Sequence, residues 1–550
     1  VKRKVFFLER KKQRTFVILS RRQGAKVFWS FFSKKDFFLL LAVLPLVFVL
    51  DRAFPPDLSR AAATSPEVLA RDGVLLTAFS AQGGIWRLRT GVADVDPRYV
   101  DLLVAAEDRR FFAHGGVDAG ALLRAAWQYA RAGRIVSGGS TLSMQTARLL
   151  EPHRRGVVGK MHDIIRGWQL EWRYSKTQIL GMYLTLAPMG GNIEGVRAAS
   201  FAWFGHGPAR LSQAEAALLV ALPQSPARRR PDRYAGFAVQ AAVRLVARLD
   251  GAGTLPAFWS KGADYRGLAS QLRRHDMPHA AALFCARLVR GAPPGAVVRS
   301  TIDAGLQARL EAQIARSMAG EAPPVGVAVM VVNNATREVR ASIGGRGPGF
   351  VGAALDLTQR RRSPGSALKP FIYGMGFDAL LLHPLTEIED APGLVAGYAP
   401  HNFDYQYHGG VSAQTALRQS FNVPAVQVLS RVGPERFVAG LRQTGARVAL
   451  PGRHASLAVA LGGLGISLSD MVMLYAALGD DGHASALVTR ARDARGDAPF
   501  MGKLAVYYLR QILEGSPPPP GIAYAAATGG RSVAFKTGTS YGFRDAWAVG

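Results

Sequence analysis

Residues 365–370 read Gly-Ser-Ala-Leu-Lys-Pro, a serine three positions ahead of a lysine with a proline closing the run. Three positions is about one helical turn, so Ser366 and Lys369 share a face if a helix starts here. Such a pair is either a surface lysine on an ordinary helix or a base held against a nucleophile. The spacing does not choose between them, and the rest of the chain has to.

The chain is 550 residues long and 49% hydrophobic, enough for more than one core, so two or three folded units are expected. Its one cysteine, Cys285, lies in the apolar run AALFCARL and reads as a buried thiol; no intrachain disulfide can form. The formal charge of +29 suits nucleic acid, an anionic membrane surface or a pyrophosphate-bearing substrate, so its distribution matters more than its size. Residues 1–36 hold twelve lysines and arginines against two acids, Glu9 and Asp36. Beyond them the arginines are scattered.

Directly after this block, Phe37 to Leu50 runs for fourteen residues without a charge. A span takes ~20 apolar residues, but Lys34 and Lys35 can snorkel and Phe31, Phe32, Ala53 and Phe54 can lengthen the segment. A cleaved signal peptide ending at Ala61-Ala62-Ala63 is the rival, and a 36-residue basic leader is long for one. The expectation is a basic cytoplasmic tail (1–36), a single transmembrane anchor (37–54), and everything later on the extracytoplasmic side of a bacterial inner membrane.

Helical periodicity fills residues 65–230, as in MHDIIRGWQLEWRY and LSQAEAALLVALP, and RRRPDRY is expected to end that domain. A connector is expected over 231–300. From 301 to 550, VGVAVMVVNN and TREVRASIGG read as two strands joined at Asn-Asn-Ala, followed by alternating helices and short strands.

Within the helical domain Glu107, Phe111 and His114 stand at i, i+4 and i+7, one stripe if the helix continues to Gly115-Gly116. The plain alternative is that Glu107 and Asp108 are solvated acids. A glycine pair then opens a stretch with Ser140, Thr141, Gln145 and Arg148, which can offer donors to phosphate oxygens. Next, Met161, Ile164, Ile165, Trp168 and Trp172 make the apolar face of a helix, with Asp163 roughly opposite and Glu171 at its flank.

In this order these segments resemble the glycosyltransferase family 51 domain of bifunctional class A penicillin-binding proteins. The first family motif is complete as Glu107, Asp108, Phe111, His114 and Gly116, and the second is present as Gly138, Ser140, Thr141 and Gln145. The third survives as Lys160 and Asp163, with Asp in place of Glu; the fourth as Lys176, Ile179, Leu180, Tyr183 and Leu184, with Gly181 and Thr185 in place of Glu and Asn. The runs APMGGNIEGVRAASFAWFG and LSQAEAALLVALPQSP look most like the 1C type. The resemblance implies polymerisation of the lipid-linked disaccharide lipid II into a nascent glycan strand, with Glu107 as general base. It implies Arg148 and Lys160 on the leaving pyrophosphate, and Asp163 orienting them or a divalent metal (Mg or Mn) there. Asp108, Phe111, His114, Ser140, Thr141, Gln145 and Glu171 would line the substrate cleft. No cofactor is otherwise required, and no nucleic-acid partner is expected.

The opening pair is answered by Ser420-Phe-Asn422 and Lys536-Thr-Gly-Thr539. SxxK, SxN and KTG in this order, separated by 54 and then 116 residues, resemble the penicillin-binding, serine β-lactamase-like α/β transpeptidase fold. In that resemblance Ser366 attacks the penultimate carbonyl of a D-Ala-D-Ala stem peptide, Lys369 takes its proton, and β-lactams acylate the same serine. Ser420 relays a proton, Asn422 holds the peptide, Lys536 and Thr537 grip the terminal carboxylate with Gly538 beside them at the substrate, and the backbone N–H groups of Ser366 and Thr539 form the oxyanion hole. That fold has a further strand and helix after KTG, so the sequence is expected to continue past Gly550. A lytic glycosidase, since lysozyme-like domains also use two carboxylates, and a binding sensor or scaffold with a lapsed transferase site are the competing readings.

Overall fold

The structure, a computed structural model, describes residues 48–550 except 133–138, 155, 256–258, 260–262, 323, 348, 351 and 518–531. The basic tail, Gly138 and all of the expected anchor before Phe48 lie outside the described residues. Residues 48–53 are helical, and among the described residues no helix is long and apolar enough to cross a membrane.

Among the described residues three cores organise the chain. The first is helical, and its helices start where local chemistry dictates. Ser212 caps the helix Gln213–Ala221, its Oγ accepting from the Glu215 N–H while Glu215 accepts from the Ser212 N–H. Pro231 opens the helix Pro231–Gly251, where its missing N–H costs nothing. That helix corrects the expected boundary at 230: its Ala238, Ala242, Leu245, Val246 and Leu249 are buried in the same core as Tyr99, Phe111 and Leu218. The Arg-Arg-Arg-Pro run is a turn between two packed helices.

The second, small core joins the ends of the first domain to the connector. Strand Glu67–Leu69 pairs antiparallel with Leu75–Ala78 and parallel with Val297–Arg299, and these pack around Phe284, Leu288 and Cys285. Cys285 is fully buried, and burial pushes its thiol up to about 12, so it is an inert core residue.

The third core is the distal domain, helices around short antiparallel pairs. The expected hairpin forms from Val329–Val332 and Val339–Ile343, and Lys536–Thr539 pairs with Ala546–Val549 as its return. The helix Lys369–Asp378 runs through the centre, with Phe371, Ile372 and Tyr373 fully buried.

One helix reverses a simple expectation. Along Val157–Arg173 the buried positions are Gly159, Asp163, Gly167, Gln169 and Leu170, whereas Met161, Ile165, Trp168 and Trp172 are exposed. Small residues let this helix close on Leu142–Leu150: a Cβ on Gly167 would stand 3.3 Å from Met144 Cγ. The apolar stripe faces outward.

Candidate functional sites in two domains

The proximal site begins where the helix Pro97–Glu107 ends. Asp108 leaves helical geometry (φ −159°, ψ 79°), so Glu107, Phe111 and His114 do not form one helical stripe. Instead the chain turns back through the short helix Phe111–Ala113, and Asp108 is buried rather than solvated. Its carboxylate holds His114 Nε2 at 3.0 Å and accepts from the Leu142 N–H at 3.0 Å, tying the turn to the next helix. Phe111 is fully buried in the core, which removes it from substrate contact; its ring lies 4.4 Å beneath the Lys176 ammonium.

Glu107 is left at the cleft with each oxygen gripped by an amide: Gln145 Nε2 donates to Oε2 at 3.0 Å and Gln224 Nε2 to Oε1 at 3.0 Å. Gln145 therefore orients the carboxylate, and Gln224, which lies in the run LSQAEAALLVALPQSP but has no role the sequence assigns, joins it. Thr141 caps the helix Leu142–Leu150 and donates to the Gly116 carbonyl at 2.5 Å, so its hydroxyl is occupied in the backbone. Glu171 is bound to Ser143 and, at 2.7 Å, to Lys176, away from Asp163.

Asp163, Lys160 and Arg148 meet in a separate cavity with His153. Asp163 is 2% exposed, with Arg148 Nη1 at 3.5 Å and His153 Nε2 at 3.4 Å. Lys160 donates to Ser140 Oγ at 2.6 Å, and burial lowers its pKa against the pull of Asp163. The donor set does not fit a resident divalent metal. Asp163 supplies one carboxylate, both ring nitrogens of His153 already face carbonyl oxygens, and among the described residues no three His, Cys, Asp or Glu side chains cluster. Three basic side chains around one acid suit an anion instead. The buried Tyr183 lies near both carboxylate and cations: burial raises its pKa first, Glu107 adds to that, and Arg148 opposes it.

In the distal domain Ser366 sits in a short 3₁₀ turn, Gly365–Leu368, that leads into the helix at Lys369. The strand carrying KTGT is pressed against this turn. A Cβ on Gly538 would stand 2.3 Å from the Pro364 carbonyl oxygen, and one on Gly365 (φ +52°) 2.2 Å from that of Thr539, so both positions require glycine.

Lys369 is fully buried, and its ammonium reaches all three residues of SFN: the Ser420 carbonyl at 2.5 Å, the Phe421 carbonyl at 3.1 Å and Asn422 Oδ1 at 2.8 Å. Ser420 Oγ is 3.5 Å away. Among the described residues Lys369 makes no hydrogen bond to Ser366, so the turn's spacing alone does not join them. Burial, then the charge of Lys536, puts the Lys369 pKa well below the ordinary lysine range. Lys536, itself buried, is pushed down to about 8.

Ser420 adopts φ +65° to present its carbonyl to Lys369, a conformation uncommon for serine. Behind it, Asn402 Oδ1 accepts from the Asn422 N–H at 2.8 Å and Asn402 Nδ2 donates to both oxygens of the fully buried Asp390 at 2.8 Å. His408 joins Asp390 at 2.8 Å and stacks on Phe421 at 4.1 Å. Neither Asn402 nor Asp390 carries a sequence signal, since their partners are remote in the chain. Asn422 Nδ2 donates to the His401 carbonyl at 2.8 Å, so its amide is occupied as a strut of the loop.

A transglycosylase family model matches residues 73–250 and a penicillin binding protein transpeptidase domain model matches 327–548. Penicillin-binding protein 1C of Escherichia coli is 40% identical over 94% of the chain and 68% of its own length. Penicillin-binding protein 1B of Haemophilus influenzae is 28% identical over 82% of the chain and 62% of its own length. The solved penicillin-binding protein 1A of Haemophilus influenzae aligns over 88% of this chain and 86% of its own, at 14% identity and a TM-score of 0.47, so the assignment rests on the sequence matches. The chain belongs to the bifunctional class A penicillin-binding proteins. It is a glycosyltransferase and a transpeptidase of peptidoglycan synthesis, with a helical and an α/β domain.

Proposed function

We propose that the proximal site polymerises lipid II and that the distal site cross-links D-Ala-D-Ala stem peptides through Ser366. Glu107, aimed by Gln145 and Gln224, takes the proton of the acceptor 4-hydroxyl as that oxygen attacks the donor sugar carbon with inversion. Arg148 and Lys160 receive the charge of the departing pyrophosphate, with Asp163 holding Arg148 in place. Ser366 attacks the penultimate carbonyl, Lys369 in its neutral form accepts the proton, and Ser420 passes a proton to the leaving D-alanine amine. Lys536 and Thr537 hold the terminal carboxylate, and the backbone N–H groups of Ser366 and Thr539 form the oxyanion hole. β-Lactams acylate the same serine.

The observation that carries this reading is the fully buried Lys369, bonded to every residue of SFN while KTGT packs on the Ser366 turn. The test is incubation of the purified protein with lipid II, followed by muramidase digestion and mass spectrometry. Glycan strands with cross-linked muropeptides are expected; intact lipid II would overturn the transferase, and strands without cross-links the transpeptidase.

The same reading sets the protein on the outer side of the cytoplasmic membrane. Support comes from the outward apolar face of the helix Val157–Arg173 and from Asp51, which pairs with Arg173 at 2.6 Å and so holds the end of residues 48–53 against that helix. Protease added to intact spheroplasts is expected to digest the catalytic body, and cleavage confined to the N-terminal tail would reverse the orientation.

A further inference from the structure

A groove of roughly 860 Å³ lies beside Glu107, between the turn after Leu222–Gln224 and the helix Pro231–Gly251. Arg228, Arg229, Arg244 and Arg248 line it together with Tyr234 and Phe237, and among the described residues none that lines it is acidic. Among the described residues none of these four arginines forms an ion pair, whereas their neighbour Arg230 is bound to Asp232 at 2.8 Å. Burial, then the charges of Arg244 and Arg248, lowers the pKa of Arg229. Tyr234 and Phe237 are exposed at the rim, and Tyr234 departs from helical geometry (φ −136°, ψ 49°) inside an otherwise regular helix.

The groove is also wired to the base. Arg229 Nη1 donates to Gln224 Oε1 at 3.2 Å, and the same amide donates through Nε2 to Glu107 at 3.0 Å. It shares no residue with the cavity of Arg148, Lys160 and Asp163. Glu107 thus has one basic cavity built around an acid and a second basic groove built around none.

We propose that this arginine groove is an anion-binding subsite for the saccharide substrate seated at Glu107, resting on the transferase reading above. Its ligand is a sugar carrying an acidic group: the guanidinium groups take the anion, and the two exposed aromatic rings offer flat faces to the apolar side of the sugar rings. Two sources share that chemistry, the carboxylates of the stem peptide and the diphosphate of the lipid carrier. Occupancy would draw Arg229 toward the ligand and, through Gln224, set the orientation of Glu107.

The test is calorimetric titration of two soluble probes, a phosphate-free disaccharide pentapeptide and inorganic pyrophosphate, into the intact protein carrying Arg148→Gln, which disables the other basic cavity. Adding Arg244→Gln and Arg248→Gln is expected to weaken one probe at least tenfold. Loss of the disaccharide pentapeptide assigns the groove to stem-peptide carboxylates; loss of pyrophosphate assigns it to the lipid diphosphate. Arg244→Lys with Arg248→Lys is expected to recover most of that affinity, separating charge from folding. Binding is read whether or not the protein polymerises, so failure here is distinct from failure of the transferase reading. Neither probe binding, or both binding equally before and after the arginine substitutions, overturns the proposal.

Discussion

Ser366→Ala is expected to abolish covalent labelling by a fluorescent β-lactam while leaving glycan polymerisation unchanged, because Ser366 and Glu107 lie in different domains, each with its own core. Lys369→Ala should slow acylation by about 10²–10⁴-fold, the usual worth of a positioned base. It also strips a partner from two carbonyls and the Asn422 amide, so a lower Tm is expected with it. The pH dependence separates the two lysines. Acylation rises as Lys369 loses its proton, and because its pKa is depressed the rise comes well below 10.5. Lys536 must keep its proton to hold the β-lactam carboxylate, and with a pKa of about 8 it loses that charge above about pH 8, so the rate falls again. The alkaline fall should disappear in Lys536→Ala, at a lower overall rate. Labelling that survives Ser366→Ala, with the adduct mapped to Ser363, would assign the lysine to the wrong serine.

Glu107→Gln is expected to lower polymerisation by about a hundredfold or more, since an amide cannot accept the acceptor's proton. The structure adds a second cost. Both carboxylate oxygens accept from amide N–H groups, so a glutamine there turns its own NH₂ against Gln145 or Gln224, and one hydrogen bond is lost. Gln145→Ala and Gln224→Ala should each cost less, as they aim the base without replacing it. Asp163→Ala should raise KM more than it lowers kcat if Arg148 still reaches the pyrophosphate. Continuous glycan-strand assays on the purified variants read all four, with β-lactam labelling of Ser366 as the measure of intact folding. Wild-type turnover by Glu107→Gln would remove the base assignment.

Much of this was legible in the chain because it depends on chemistry at short range or on the order of motifs. Ser-x-x-Lys, Ser-x-Asn and Lys-Thr-Gly name their site by succession, the Ser212 to Glu215 cap starts its helix locally, and alternation with a turn specifies the hairpin at 329–343. What contacts decide at long range was not legible. Periodicity shows that Met161, Ile165, Trp168 and Trp172 share a face, but not what that face meets; packing turned the small and polar stripe inward. The helix at 231–251 belongs to the first core because its alanines and leucines fit there, whatever the charge run before it suggests. A lysine side chain is long enough to leave its own turn, so Lys369 goes where three acceptors converge, 51 to 53 residues away in sequence. Those acceptors are aimed by Asn402 and Asp390, and Glu107 by Gln224, each from another element of the fold. The sequence could therefore say which residues carry the chemistry, whereas the partners that orient them are set by burial, which demands that every desolvated donor and acceptor find a mate wherever the fold brings one near.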